Sequence, residues 1–281
     1  MHKSIYIHIR KHILIYLLLL LLLIIIVIVT VISNNTDKEN KIRDYSEIID
    51  SGVLNVVTDY NTIGYYISAD SVAGFQYEML KAIENDWDIK VNIVLENSLE
   101  DNLNGLKQQK YDLIARNIAV NSELRELFYF TEPITLNKLV LIQRKAEYND
   151  SIEPIRQHLD LAKKSIYVPE DSPSILRLNN LAHEIGDTIF IIKDSTYETE
   201  QLIMMVASGN IDFTVSDERT ALRLSDAFPE IDIETDISFT QLESWVIRRE
   251  SPVLLDSLNN WLIRFKESNR FKDIYKKYYV K

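Results

Sequence analysis

The sequence predicts an α/β protein of two lobes, preceded by one N-terminal transmembrane helix. Three observations carry this reading. An unbroken apolar run fills Ile13–Ile32. Strand-like and helix-like stretches alternate beyond residue 45, as they do in α/β layers with a mainly parallel sheet. A helix–turn–strand pattern around Asp112 returns around Asp212, one lobe-length later.

The apolar run holds 20 residues, interrupted only by Tyr16 and Thr30. At about 1.5 Å per residue it spans the ~30 Å hydrocarbon core of a bilayer. Lys3, Arg10 and Lys11 precede it without an acidic residue. Positive flanks stay cytoplasmic, so residues 1–12 read as a cytoplasmic stub and 13–32 as a signal anchor. A cleaved signal peptide is the competing reading, with an apolar region of about 7–15 residues and small residues at its end. The sequence Val31-Ile32-Ser33-Asn34-Asn35 offers no such site. A buried helix of a soluble protein is a third reading. Residues 33–45 are polar and mixed in charge and form a linker.

Leu54–Thr58 reads as a buried strand, followed by a tyrosine-rich loop. Phe75, Met79, Leu80 and Ile83 share a helical face over residues 75–85. Strands follow at 90–95, 112–115 and 138–143, with a helix marked by Leu99, Leu103 and Leu106. The alternation resumes with strands at 165–168, 188–192 and 212–215 and helices at 174–185 and 199–207. The repeated pattern pairs Tyr111-Asp112-Leu113-Ile114-Ala115-Arg116-Asn117 with Ile211-Asp212-Phe213-Thr214-Val215-Ser216-Asp217. Any helix-to-strand junction can look this way; two related lobes explain the spacing as well. Lobe 1 is then 46–143 plus 241–281, and lobe 2 is 144–240. Ligand crevices lie beyond the carboxyl ends of strands in open α/β sheets. Arg116-Asn117 and Ser216-Asp217 therefore face the cleft.

Composition removes several function classes. The 281 residues contain no cysteine, so thiolate metal sites, disulfides, a cysteine nucleophile and a lipid-modified N-terminal cysteine are excluded. Six scattered glycines build no Gly-rich phosphate loop. Of five histidines three precede residue 13, and no HExxH surrounds His158 or His183. No metal or cofactor is expected. The net charge is -11, and residues 36–281 alone carry 28 basic and 42 acidic groups. An acidic outer domain argues against nucleic-acid binding and adhesion to anionic lipid.

Four stretches occur in order: Leu54-Asn55-Val56-Val57-Thr58, Gly74-Phe75-Gln76-Tyr77-Glu78, Ser122-Glu123-Leu124-Arg125 with Phe130-Thr131-Glu132-Pro133, and Gly209-Asn210-Ile211-Asp212 leading to Asp217. Together they resemble the family 3 extracellular solute-binding proteins, over roughly residues 45–280. Within that group the sequence is similar to the binding-domain portion of membrane-bound lytic transglycosylase F-like proteins. Their lysozyme-like module would follow the binding domain, and the sequence to Lys281 does not contain it. Departures from the family phrases are Glu78 for Asp, Ser122 for Thr, a one-residue shorter step from Arg125 to Phe130, and the late glycine and tryptophan replaced around Ser268–Arg270 and Tyr278.

The resemblance implies a two-lobed type II periplasmic-binding-protein fold and a set of ligand contacts. Arg125 would pair bidentately with a carboxylate, with the Ser122 hydroxyl beside it; a surface pair with Glu123 or Glu132 is the plain alternative. Asp217 would meet an ammonium group, and also suits the N-cap of the helix that follows. Tyr66 is the preferred stacking aromatic among Tyr60, Tyr65 and Tyr66, against ordinary packing; Phe75 reads as core. Ser172, with Pro173 at a first helical position, caps the next helix, where Ser172, Ser174 and free N–H groups suit an anionic ligand group. Arg116 would reach a second acidic group of the ligand, or solvent.

The function expected is a non-catalytic solute-binding protein, single-pass in the bacterial inner membrane and facing the periplasm. It closes two lobes over an amino-acid-like or peptide-like ligand, about hinges near 143–145 and 238–240, with a permease or envelope partner. The alternatives are a sensor or scaffold domain acting through a protein partner, and an accessory of a peptidoglycan-related, lytic transglycosylase-like enzyme.

Overall fold

The structure is a computed structural model that describes residues 20–28, 42–68 and 71–279. The chain divides into two compact units, residues 1–42 and 43–281. In the first, residues 20–28 form a helix. The remainder of the predicted anchor over 13–32, the stub 1–12 and most of the linker lie outside the described residues. Among the described residues no helix is long and apolar enough to cross a membrane.

The second unit runs through α1 (Tyr45–Ser51), β1 (Val53–Thr58), β2 (Tyr66–Ser68), β3 (Ser71–Ala73), α2 (Phe75–Trp87), β4 (Lys90–Leu95), α3 (Leu99–Lys107), β5 (Leu113–Ala119), α4 (Ser122–Leu127), β6 (Phe128–Phe130) and β7 (Thr135–Asn137). It continues with β8 (Leu139–Arg144), β9 (Ser165–Pro169), α5 (Ser174–Ile185), β10 (Phe190–Asp194), α6 (Thr199–Ala207), β11 (Thr214–Asp217), α7 (Glu218–Ser225), β12 (Ile231–Asp236), β13 (Gln241–Arg248), α8 (Pro252–Glu267) and α9 (Asn269–Tyr279).

Two sheets form two lobes. The first has the order β4-β1-β5-β13-β6, with β7 also on β13; the second has the order β10-β9-β11-β8-β12. In each, three strands are parallel (β4, β1, β5 and β10, β9, β11), and the next strand runs against them. The sheets are thus less parallel than the alternation implies. The reason is that each antiparallel neighbour, β13 or β8, enters from the other lobe. The repeated pattern is structural: β5 and β11 are each third in order, beside the entering strand.

The predicted boundary after Gln143 is moved by this topology. β8 pairs with β11 and β12, so it belongs to lobe 2. The chain crosses at Lys138, between β7 and β8, and returns through Ile237–Thr240, between β12 and β13. The apolar run Leu139–Ile142 reads the same in either sheet, so periodicity alone could not place it. The two crossings touch, the Leu139 amide donating to Ser238 Oγ at 2.9 Å.

Lobe 1 packs α2, α8 and α9 around one core containing Leu54, Val56, Phe75, Met79, Leu80, Ile83 and Trp245. The predicted helical face of Phe75, Met79, Leu80 and Ile83 is fully buried, burying roughly 2 kcal/mol of transfer free energy per large side chain. Phe75 meets Tyr279 edge-on at 4.8 Å. Gly74 precedes α2 at φ 133, and a Cβ there would lie 2.2 Å from the Gly64 carbonyl oxygen. Only glycine permits that approach, which lets the Gly64 carbonyl accept the Gln76 amide. Lobe 2 has a core on each side of its sheet, around Leu178 and Leu181 of α5 and around Leu202, Ile203 and Val206 of α6.

At the base of lobe 1, Asp112 is fully buried. It accepts from Arg43 Nε at 3.2 Å, Arg248 Nη2 at 3.1 Å and the Asn55 amide at 3.0 Å. Its counterpart Asp212 is exposed.

Candidate functional site

The carboxyl ends of β1 and β5 in lobe 1 and of β9 and β11 in lobe 2 meet loops that touch across a cleft. The Thr62 amide donates to Glu200 Oε1 at 2.8 Å, and Ser98 Oγ donates to Asp171 Oδ2 at 2.9 Å. Arg223 of α7 lies over the Tyr66 ring at 5.2 Å. Arg219 of α7 donates to the Tyr279 carbonyl at 3.3 Å and covers that ring at 5.9 Å. The lobes are therefore in direct contact at several points, from four different loops and helices.

Asn117 and Asp217, in the carboxyl-terminal parts of β5 and β11, behave differently. Asn117, in the last part of β5, is held in a chain of amides and rings. Trp245 Nε1 donates to Gln76 Oε1 at 2.8 Å, Gln76 Nε2 to Asn117 Oδ1 at 2.7 Å, and Asn117 Nδ2 to the Tyr279 hydroxyl at 2.8 Å. Burial raises the Tyr279 phenol above its ordinary range, so that hydroxyl stays protonated. On lobe 2, Asp217 caps α7: its Oδ1 accepts the Thr220 amide at 2.9 Å and the Asn137 side-chain amide at 3.2 Å. Its Oδ2 accepts no hydrogen bond among the described residues. The preceding Ser216 hydroxyl and the Arg219 Nε are buried without a partner among the described residues.

Asn137 links Asp217 to Glu243 of β13. The same Asn137 Nδ2 donates to Glu243 Oε1 at 3.3 Å, and Thr135 Oγ1 donates to Glu243 Oε2 at 2.8 Å. Glu243 is 8% exposed. Burial first, then the nearby Asp217, pushes its carboxyl up to about 7; the two hydrogen bonds oppose this.

The predicted residues do not converge on one point. Arg125 and Ser122 are exposed on α4. The Arg125 carbonyl accepts from Arg249, whereas its guanidinium has no ion-pair partner among the described residues, so neither Glu123 nor Glu132 holds it. Arg125 and Asp217 are not in contact. Arg116 is engaged, bonding the Asn97 carbonyl at 2.9 Å and Asp59 at 3.5 Å. Tyr66 packs partly against the lobe 1 core. Ser172 and Ser174 do meet, hydroxyl to hydroxyl, at 2.7 Å, and Ser172 Oγ accepts the Ser174 amide at 3.3 Å. The helix starts at Ser174, as the range 174–185 predicts, but Pro173 and not Ser172 occupies the cap position.

Sequence reasoning missed Glu243, Asn137, Arg219 and Tyr279. One signal was present: Glu243 is the lone acid in the buried stretch 243–248 of β13. A cavity of about 320 Å³ lies between α2 and α9 near Glu78, Lys81, Arg270 and Lys277. None of the predicted ligand residues lines it.

Comparison with known proteins agrees with this architecture. Residues 54–281 match the family described as bacterial extracellular solute-binding proteins, family 3. A protein named membrane-bound lytic murein transglycosylase F from Desulfosudis oleivorans is 28% identical over 240 residues, covering 85% of this chain and 50% of the relative. The chain spans about half the length of the curated relatives it matches. Among solved structures, the solute receptor for L-cysteine of Neisseria gonorrhoeae superposes with a TM-score of 0.73 at 17% identity, covering 85% of this chain and 94% of the receptor. An ancestral arginine-binding protein bound to arginine gives 0.71 at 20%, covering 81% and 98%. These likenesses show the fold.

Proposed function

Since the chain belongs to the bacterial extracellular solute-binding proteins, family 3, we propose that it is a non-catalytic module that closes its lobes over a small amino-acid-like or peptide-like ligand. The observation that carries the reading is the pair of strand ends at the cleft. There Ser216 Oγ and Arg219 Nε are buried without a partner among the described residues, on either side of the half-buried Asp217. Buried polar atoms left over by the fold are the groups a bound solute satisfies. In this reading Asp217 takes an ammonium group, and the free guanidinium of Arg125, with Ser122, takes a carboxylate. Tyr66 lines the rim, Ser172 and Ser174 present the start of α5, and Arg116 holds the loop after β1 through Asp59. The run Ile13–Ile32 would tether the module to the inner membrane, facing the periplasm.

A second reading is an accessory to peptidoglycan cleavage. It is favoured by the relatives named membrane-bound lytic murein transglycosylase F. Calorimetric titration with a panel of L-amino acids and muropeptides separates the two. Binding of a free amino acid supports uptake or sensing, and binding of muropeptides alone supports the second reading. A folded protein that binds neither refutes both. Arg125→Ala is expected to abolish binding of carboxylate ligands while shifting the melting temperature by less than about 2 °C, because the side chain is exposed and unpaired. Retained affinity would remove Arg125 from the site.

A further inference from the structure

Two carboxylates share one amide at the point where the chain crosses between lobes. Glu243 lies on β13, the strand that returns to lobe 1, and Asp217 heads α7 of lobe 2. Both accept from the single Asn137 Nδ2, at 3.3 and 3.2 Å, and Asn137 itself ends β7 on the outgoing crossing. Their oxygens are therefore separated by no more than the two hydrogen bonds together. No basic side chain is bonded to either acid among the described residues.

The charged groups around the pair do not neutralise it. Asp59 lies on the same side and is already paired with Arg116. Lys138, next to Asn137, is committed to Asp236 at 2.7 Å and Glu218 at 3.3 Å. Arg219 turns to Tyr279, whose hydroxyl is protonated and donates no charge. Two like charges so close, one buried and one half-buried and neither paired with a base, cannot both be held at low cost, and the buried Glu243 gives up its charge first.

We propose that Glu243 is a proton-operated check on lobe closure: ionised, it repels Asp217 across the crossing and favours separation of the lobes, and protonated, it permits the closed arrangement seen here. The inference goes beyond the binding reading and does not require a ligand. The burial that raises the Glu243 carboxyl to about 7 puts the change between mildly acid and mildly alkaline conditions.

The test uses the free, full-length chain. Because it contains no cysteine, Glu100→Cys and Asp187→Cys, both at exposed positions on opposite lobes, place two dyes for single-molecule energy transfer. Between pH 6 and pH 8.5 the closed-to-open ratio is expected to fall by about tenfold, a size set by two unit charges within hydrogen-bonding reach of one amide. Glu243→Gln, which removes the charge and keeps one accepting oxygen, should remain closed throughout. Asp217→Asn, which still caps α7, should flatten the same profile. A wild-type ratio that does not move, or a pH dependence that survives in folded Glu243→Gln, overturns the proposal. Failure of the ligand titrations above leaves this measurement unaffected, so the two readings fall separately.

Discussion

Replacing Asp112 with alanine tests the account of lobe 1 most directly, because the chain carries its own control. Asp112 and Asp212 occupy equivalent places before β5 and β11, each between apolar neighbours. Only Asp112 is buried, and it holds Arg43, Arg248 and the Asn55 amide. Arg248 is itself 2% exposed; its Nη1 and Nη2 also donate to the Tyr111 and Arg43 carbonyls, and its Nε is buried without a partner among the described residues. Asp112→Ala would leave that guanidinium buried without its counter-charge and would orphan the Asn55 N–H. Removing one partner of a buried pair costs about 3–5 kcal/mol. For a folded unit of this size, 1 kcal/mol moves the melting temperature by about 2–4 °C. The expected drop is therefore roughly 10 °C, read by circular dichroism or calorimetry at pH 7. Asp212→Ala, at an exposed position without hydrogen bonds, should change stability by no more than about 0.5 kcal/mol. Equal shifts in the two variants, or an Asp112→Ala protein melting within about 2 °C of the parent, would show that the buried network does not hold the base of the lobe.

Two further outcomes follow from the same geometry. A Glu243 carboxyl raised to about 7 keeps its proton where the unfolded chain has lost it, so native stability falls as pH rises from about 4.5 to about 7 and the full cost remains above. Glu243→Gln should raise the unfolding free energy measured in urea at pH 8, by up to roughly 3 kcal/mol, and leave it unchanged near pH 4; a gain at both pH values would contradict the assignment. Gly74→Ala, forced into a left-handed φ with its Cβ against the Gly64 carbonyl, should abolish soluble expression or lower the melting temperature by more than about 5 °C. Ordinary yield and stability would show that the α2 start is free to relax.

Much of the fold was legible because its signals are local. The face of α2 could be read from Phe75, Met79, Leu80 and Ile83, and the kinship of β5 and β11 from the repeated Asp-centred pattern. The lobe boundary was not, because Leu139–Ile142 is equally apolar whichever sheet receives it, and pairing partners are set by distant strands. Asp112 and Asp212 look alike in sequence; what separates them is Arg248, more than 130 residues away from Asp112. The capping role of Asp217 could be read because capping chemistry is local. Glu243 and Tyr279 were missed because their significance depends on Asn137 and Asn117, neighbours only in the folded chain. Arg116 was read as reaching an acidic group of the ligand, or solvent, because Asp59 meets it only through the β1–β5 pairing.

The return of β13 also sets an order of assembly. Lobe 2 is one continuous stretch from β8 to β12, so its contacts are close in sequence and can form as soon as that stretch exists. Lobe 1 is different. Its β5 edge waits for a strand that begins at Gln241, and Trp245, at the centre of its core, is supplied by that strand. During synthesis the first half of lobe 1 is thus the oldest part of the domain and the last to be completed, holding an unpaired apolar sheet edge while lobe 2 is made. For such a chain the hazardous interval lies before residue 241 emerges, and a helper that shields an open edge would matter there most.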